Sequence, residues 1–205
     1  GSGKAGNGSC FWQPERGKEA MKIAYVMLAA GNSRRFGSNK LLYEIDGKPM
    51  YRHVLEQLEE VSGNCERITV VTQYEEIEQA ARTLGARVYI NPHPDEGISS
   101  SLKIGLKANL DADACLFTVS DQPWLTADTI WQLIRLLQTS GKGIACVSGE
   151  GKLGNPCIFT KKYYEELLLL TGDKGGKAVI RLHREDTAIL KVRDEKELMD
   201  MDVKQ

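Results

Sequence analysis

Four stretches of this chain hold residues whose types and spacing suit phosphate chemistry. In the first, Leu28-Ala29-Ala30-Gly31 empties into Ser33, Arg34, Arg35, Gly37 and Lys40. Small residues let backbone N–H groups approach a ligand closely, and Gly31 also permits positive φ. With Arg35 and Lys40 alongside, the stretch reads as an anion site. Neither familiar phosphate motif fits it. Walker A needs Lys directly after its second glycine, where Ser38 follows Gly37, and the dinucleotide glycine spacing is absent. The second stretch is Ser120-Asp121-Gln122-Pro123. A carboxylate among phosphates recruits Mg²⁺, which bridges and neutralises them; on its own, Asp121 would be a turn residue before Pro123. The third is Gly97-Ile98-Ser99-Ser100-Ser101-Leu102. Serine hydroxyls and helix N-terminal amides can read a base edge or bind phosphate, although Ser99 alone would serve as a helix cap. The fourth comprises Gly154-Asn155-Pro156 and Gly172-Asp173-Lys174-Gly175-Gly176. Both are glycine-containing loops of the kind that often hold sites.

These stretches need elements to position them. Apolar, β-branched runs at 23–28, 67–72, 86–90, 114–119 and 143–147 read as strands. Helical spacing follows Pro49, at 75–84, at 98–110 and after Thr126, a capping residue. Strands alternating with helices predict an α/β fold, a Rossmann-like three-layer α/β/α sandwich with a mainly parallel central sheet. Ligands in such sheets bind beyond the carboxyl ends of strands. The candidates fall there, after the first, third and fourth strands. The last quarter breaks the alternation. It holds a glycine-rich turn at 149–154, a short strand at 155–160, an apolar helix at 163–170 and a loop at 171–177. A helix to about 184, a strand at 187–192 and a terminal helix or turn from 195 complete it.

Composition narrows the classes. A chain of 205 residues with 41% hydrophobic content carries a sizeable core, and its net charge of −1 leaves no electrostatic footprint for nucleic acid. No apolar run approaches the roughly 18 residues of a membrane span. Five cysteines, Cys10, Cys65, Cys115, Cys146 and Cys157, are odd in number and lack metal-ligand spacing. They read as core thiols of a cytoplasmic protein. Residues 1–20 are glycine-rich and unpatterned, and read as a tag or disordered leader before one domain at 21–205.

The first stretch resembles the signature loop of the MobA-like nucleotidyltransferases, L-A-A-G-x-S-x-R-M-G-x-x-K. Leu28, Ala29, Ala30, Gly31, Ser33, Arg35, Gly37 and Lys40 fall in place, with Phe36 where Met is usual. Asp121-Gln122-Pro123 matches the family's Asp-x-Pro at a strand end, and Gly97–Leu102 its G-x-S-x-S-L segment. The Leu-Ala-Ala-Gly opening is more similar to the molybdenum-cofactor cytidylyltransferase branch than to the guanylyltransferases, which more typically carry Leu-Ala-Gly-Gly. The resemblance implies a nucleotide-diphospho-sugar transferase-like fold and transfer of CMP from CTP to a phosphorylated pterin, with pyrophosphate released. Arg35, Lys40 and Asp121 would be catalytic. Asp121 and, from the terminal Asp200-Met201-Asp202, Asp202 would hold Mg²⁺. Residues 28–31, Ser33, Gly97, Ser99, Ser100, Ser101, Gln122 and Pro123 would bind nucleotide. Asn155, Pro156, Asp173 and Gly175 would shape the acceptor pocket. A molybdoenzyme is a further implied partner. Two alternatives stand beside this reading: a non-catalytic cofactor carrier, and a transferase acting on a sugar or polyol phosphate.

Overall fold

The computed structural model describes residues 20–32 and 39–201. Ser33, Arg35, Asp202 and all but the last residue of the expected leader lie outside the described residues. Seven strands form one sheet: β1 (Ile23–Ala29), β4 (Ile68–Thr72), β5 (Arg87–Ile90), β6 (Ala114–Val119), β7 (Ile144–Gly149), β8 (Lys152–Thr160) and β9 (Thr187–Lys191), in the order β5-β4-β1-β6-β8-β7-β9. The short strands β2 (Glu44–Ile45) and β3 (Lys48–Pro49) pair separately. Neighbours in the main sheet are parallel, except that β8 runs antiparallel to both β6 and β7. The sheet is thus mainly parallel, as alternation predicts. The inverted strand comes from the irregular last quarter.

Among the described residues, six α-helices cover the sheet: α1 (Met50–Ser62), α2 (Glu75–Thr83), α3 (Ile98–Lys107), α4 (Ala127–Ser140), α5 (Tyr164–Leu168) and α6 (Gly176–Leu182). β1 shows why both faces need cover. Ile23, Tyr25, Met27 and Ala29 point into a core built with α1, α2 and α4. Ala24, Val26 and Leu28 point into a second core with α3, α5 and α6. A strand buried on both faces reads as a continuous apolar run, which is its appearance in the sequence.

Several ends differ from the sequence reading. α3 stops at Lys107, before the expected 110. The Asn109 amide folds back to the Gly105 carbonyl at 2.8 Å, offering that carbonyl a partner other than the next helical N–H. The expected helix at 163–170 is a 3₁₀ turn, Lys161–Tyr163, followed by the short α5. β8 begins at Lys152 rather than 155, because Glu150 (φ 49°) and Gly151 (φ 74°) close a tight hairpin with β7. Among the described residues no helix is long and apolar enough to cross a membrane.

Candidate functional site

β1 delivers its carboxyl end between β4 and β6, and side chains from both neighbours grip it there. The Ser120 hydroxyl donates to the Leu28 carbonyl at 2.7 Å, and the Thr72 hydroxyl to that of Ala29 at 2.9 Å. The Gln73 amide donates to Ala30 at 2.8 Å, and the Tyr74 hydroxyl to Gly31 at 2.5 Å. Four successive carbonyl oxygens, each of which would repel a phosphate, are thereby occupied. Gln73 also reaches the Asn32 side chain at 2.9 Å, and Asn32 donates to Asp95 at 2.7 Å. The loop is thus tied to the segment after β5.

Lys40 opens a 3₁₀ turn, Lys40–Leu42, whose start is capped by the Asn39 side chain accepting from the Leu41 N–H at 3.0 Å. The turn brings the Lys40 ammonium to 3.0 Å from Asp121 Oδ2, across 81 residues of chain. Both side chains are 22% exposed, screened enough to hold the pair yet open to a ligand. Asp121 follows β6, and its own carbonyl accepts the Met201 N–H at 2.9 Å. That bond carries the Asp200–Met201 segment to the same strand end; Asp202 is beyond the described residues.

These groups line a cavity of about 450 Å³ that includes Ala30, Gly31, Lys40, Gly97, Ser101 and Asp121, within the usual size of a small-ligand site. A second cavity of about 340 Å³ adjoins it. Leu28, Ile98, Val119 and Asp173 line both. Asn155 and Gly175 belong to the second alone. The partition is held by Gly97, at φ +90°. A Cβ there would meet the Gly172 carbonyl carbon and oxygen at 2.4 Å. The Ser99 N–H donates to that same carbonyl at 3.2 Å, so the 171–175 loop is docked on the start of α3.

The remaining expected residues sit behind the cavity walls. Ser99 and Ser100 are buried, and neither is in the lining of these two cavities. The Ser100 hydroxyl donates to the Gly97 carbonyl at 2.7 Å, and the buried Asn91 amide donates to Ser100 and Ser101 at 2.9 Å each. Gln122 is 4% exposed and its amide donates to the Leu198 carbonyl at 3.2 Å. That makes it a joint to the C-terminal segment. Pro123 and Pro156 are buried outside both linings. Ala29 contributes its carbonyl to the grip while its methyl joins the core.

A divalent cation would find hard oxygen chemistry at Asp121. Mg²⁺ is usually held by one or two carboxylates, with water and substrate phosphates completing its shell. The donor set fits that mode rather than an all-protein cage: among the described residues no cluster of three or more His, Cys, Asp or Glu side chains occurs. The thiol at the second cavity, Cys157, is pushed far up by burial. It is a neutral wall, as expected of core thiols, and Cys65, Cys115 and Cys146 are likewise buried and free.

Gln73, Tyr74, Asn91, Lys177 and Arg181 were not singled out by sequence. The first two stand just past the carboxyl end of β4, where strand-end logic points. Lys177 and Arg181 stand four apart, the spacing of one helix face.

Comparison with known proteins gives consistent results. The sequence signature of the MobA-like NTP transferase domain matches residues 25–188. A probable molybdenum cofactor guanylyltransferase of Pyrococcus horikoshii is 34% identical over 130 residues, 62% of each chain, so the match spans about three-fifths of that curated relative's length. The purine catabolism protein PucB of Bacillus subtilis is 26% identical over 86% of this chain and 90% of its own. The crystal structure of Rv0371c from Mycobacterium tuberculosis has a TM-score of 0.71 at 23% identity, covering 85% of this chain and 90% of that one. A second structure of that protein is a complex with manganese, with a TM-score of 0.67 at 21% identity over 84% and 89% of the two chains.

Proposed function

The chain belongs to the MobA-like NTP transferase family, and we propose that it moves a nucleotidyl group from a nucleoside triphosphate to a phosphorylated pterin. The acceptor's phosphate oxygen attacks the α-phosphorus, the bond to the bridging oxygen of the β-phosphate breaks, and pyrophosphate departs with that electron pair. No covalent enzyme intermediate is needed. Catalysis is then positioning plus stabilisation of charge. The observation that carries this reading is the Lys40–Asp121 pair, 3.0 Å apart where β1 and β6 end. A triphosphate entering the cavity supplies Lys40 with a new anion and releases Asp121 for a divalent cation, Mg²⁺ in our reading. When bound, the ion neutralises phosphate charge. Arg35, from the signature loop, is assigned to the triphosphate as well.

For the base we propose cytosine. The Leu28-Ala29-Ala30-Gly31 opening supports it, since guanylyltransferases more typically carry Leu-Ala-Gly-Gly, and Ala30 lines the first cavity. The Pyrococcus horikoshii relative is named a guanylyltransferase, which makes GTP the competing donor. The test is pyrophosphate release from CTP, GTP, ATP and UTP, each with molybdopterin or with a sugar phosphate. CTP with molybdopterin should be fastest. A GTP preference would move the assignment to guanylyl transfer. No release from any pair would leave a carrier role.

A further inference from the structure

Asp121 sits on the connection between β6 and α4, and that connection is clasped from the far end of the chain. Upstream, Ser120 is fixed by its hydroxyl bond to the Leu28 carbonyl at 2.7 Å. Downstream, the partners come from the C-terminal segment. The Met201 N–H donates to the Asp121 carbonyl at 2.9 Å, and the Gln122 amide donates to the Leu198 carbonyl at 3.2 Å. The Thr126 N–H donates to Glu197 Oε1 at 2.9 Å. Residues 121–126 are therefore held along their length by residues 197–201.

Glu197 anchors this clasp. It is only 7% exposed, where a carboxylate without hydrogen bonds would be costly. Besides the Thr126 N–H, its oxygens accept the Thr126 hydroxyl at 2.7 Å and the Thr129 hydroxyl at 2.9 Å. It also stands at the start of α4, where the helix dipole favours an anion. Its own 3₁₀ turn, Glu195–Leu198, is capped by the Asp194 side chain accepting from the Lys196 N–H at 3.0 Å. The turn leans on the β7–β8 hairpin: a Cβ at Gly149 or at Gly154 would lie 3.0 Å from Leu198 Cδ1. The clasp is thus referenced to the sheet, not to α4 alone. Glu197, Thr126 and Thr129 are outside both cavity linings. Any effect of Glu197 on a bound ion must pass through the residues it holds.

We propose that Glu197 is a positioning residue for Asp121, fixing through the clasp where that carboxylate stands to receive a divalent cation. The inference rests on the cation reading of Asp121 given above, and its test reads the ion directly rather than transfer.

Mn²⁺ is the probe, since it takes the same oxygen donors as Mg²⁺. It is titrated into the full chain with and without CTP and read by water-proton relaxation, which separates ion on the protein from ion on free nucleotide. Wild type should bind it, and Asp121→Asn should not. Glu197→Ala should bind it on the order of tenfold more weakly, the lower end for losing an outer partner of a metal ligand. Glu197→Gln should keep most of the affinity, because its amide can make the same bonds to Thr126 and Thr129. Gln122→Met cuts the clasp nearer to Asp121. Gln122 Oε1 has no hydrogen-bond partner among the described residues, so methionine gives up the Leu198 bond alone, and Mn²⁺ should again bind more weakly. Circular dichroism and thermal melts check each fold, and Gln122→Met decides the matter if Glu197→Ala does not fold. The proposal is overturned if wild type binds Mn²⁺ in neither arm, or if Asp121→Asn binds it normally. It is equally overturned if folded Glu197→Ala or Gln122→Met melts lower yet binds Mn²⁺ as wild type does, or if Glu197→Gln is no better than Glu197→Ala. A wild-type chain that binds Mn²⁺ through Asp121 and Glu197 yet releases pyrophosphate from no donor would sink the transfer reading and leave this one standing.

Discussion

The two lobes of the cavity share a wall and differ in how their charge is kept. In the first cavity, Lys40 and Asp121 neutralise each other at 3.0 Å. In the second, Lys174, Lys177 and Arg181 share the lining with a single carboxylate, Asp173. A paired lobe must be re-partnered when it fills, so it suits a ligand that brings both an anion and a counter-cation. A lobe with surplus positive charge takes an anion directly. Their origins differ too. The first lies beyond parallel strand ends, where such sheets ordinarily bind ligands. The second adds the early part of β8, the inverted strand, which brings Asn155 and Cys157 to the same edge.

The largest expected effect removes the charge from the paired lobe. Asp121→Asn keeps size and hydrogen bonding but loses the group that would recruit a cation. Turnover should fall about a hundredfold or more, on the scale of ~2.7–4 kcal/mol for one preorganised electrostatic group, with unchanged circular dichroism. Pyrophosphate release against Mg²⁺ concentration is the measurement. A folded variant with normal rate and normal metal dependence would make Asp121 a turn residue. Next comes the shared wall. Gly97→Ala puts a methyl 2.4 Å from the Gly172 backbone at a φ of +90°, a strain on the order of 1–3 kcal/mol. We expect a lower Tm and weaker nucleotide binding, the first by thermal melts and the second by calorimetry. An unchanged Tm would show that the 171–175 loop is not docked on the start of α3.

The smallest effect lies outside both lobes and serves as a control. The Tyr163 hydroxyl donates to Asp186 at 2.5 Å, with the Gly143 N–H and Lys162 each at 3.1 Å. Chiefly through the tyrosine bond, the carboxyl is held down to about 2. Its folded value is below the unfolded one, so its stabilising contribution is complete above the unfolded value of 3.8 and is lost as pH falls through about 2. Asp186→Asn should flatten the acid limb of the stability curve between pH 4 and 2, read by thermal melts, while leaving turnover at neutral pH unchanged. A loss of turnover would break the division between lobe electrostatics and scaffold electrostatics.

How much was legible in the sequence follows from how local each signal is. β6 was readable to the residue, because an apolar run bounded by Asp113 and Ser120 carries its own limits. Lys40 and Asp121 were readable as separate candidates, but their pairing depends on strand order, which no window of sequence contains. The serines were legible only in part. Ser101 lines the first cavity, whereas Ser99 and Ser100 lie behind it, and Asn91, which donates to Ser100 and Ser101, comes from just past another strand. Gln122 was legible as part of a motif, but its bond to the Leu198 carbonyl spans 76 residues. Lys177 was hidden because seven-residue α6 is too short to announce a face.

The inverted strand has a last consequence, in the order of folding. β7 and β8 meet across the Glu150–Gly151 turn, a closure available within microseconds for a hairpin. The grip of Ser120 on Leu28 spans 92 residues, and that of Lys40 on Asp121 spans 81. Long closures cost more chain entropy and come late. The hairpin therefore carries the second cavity's Asn155 and Cys157 early, while the first cavity exists only once segments 81 and 92 residues apart have met. A refolding chain should regain hairpin protection in hydrogen exchange before it regains any capacity to bind nucleotide.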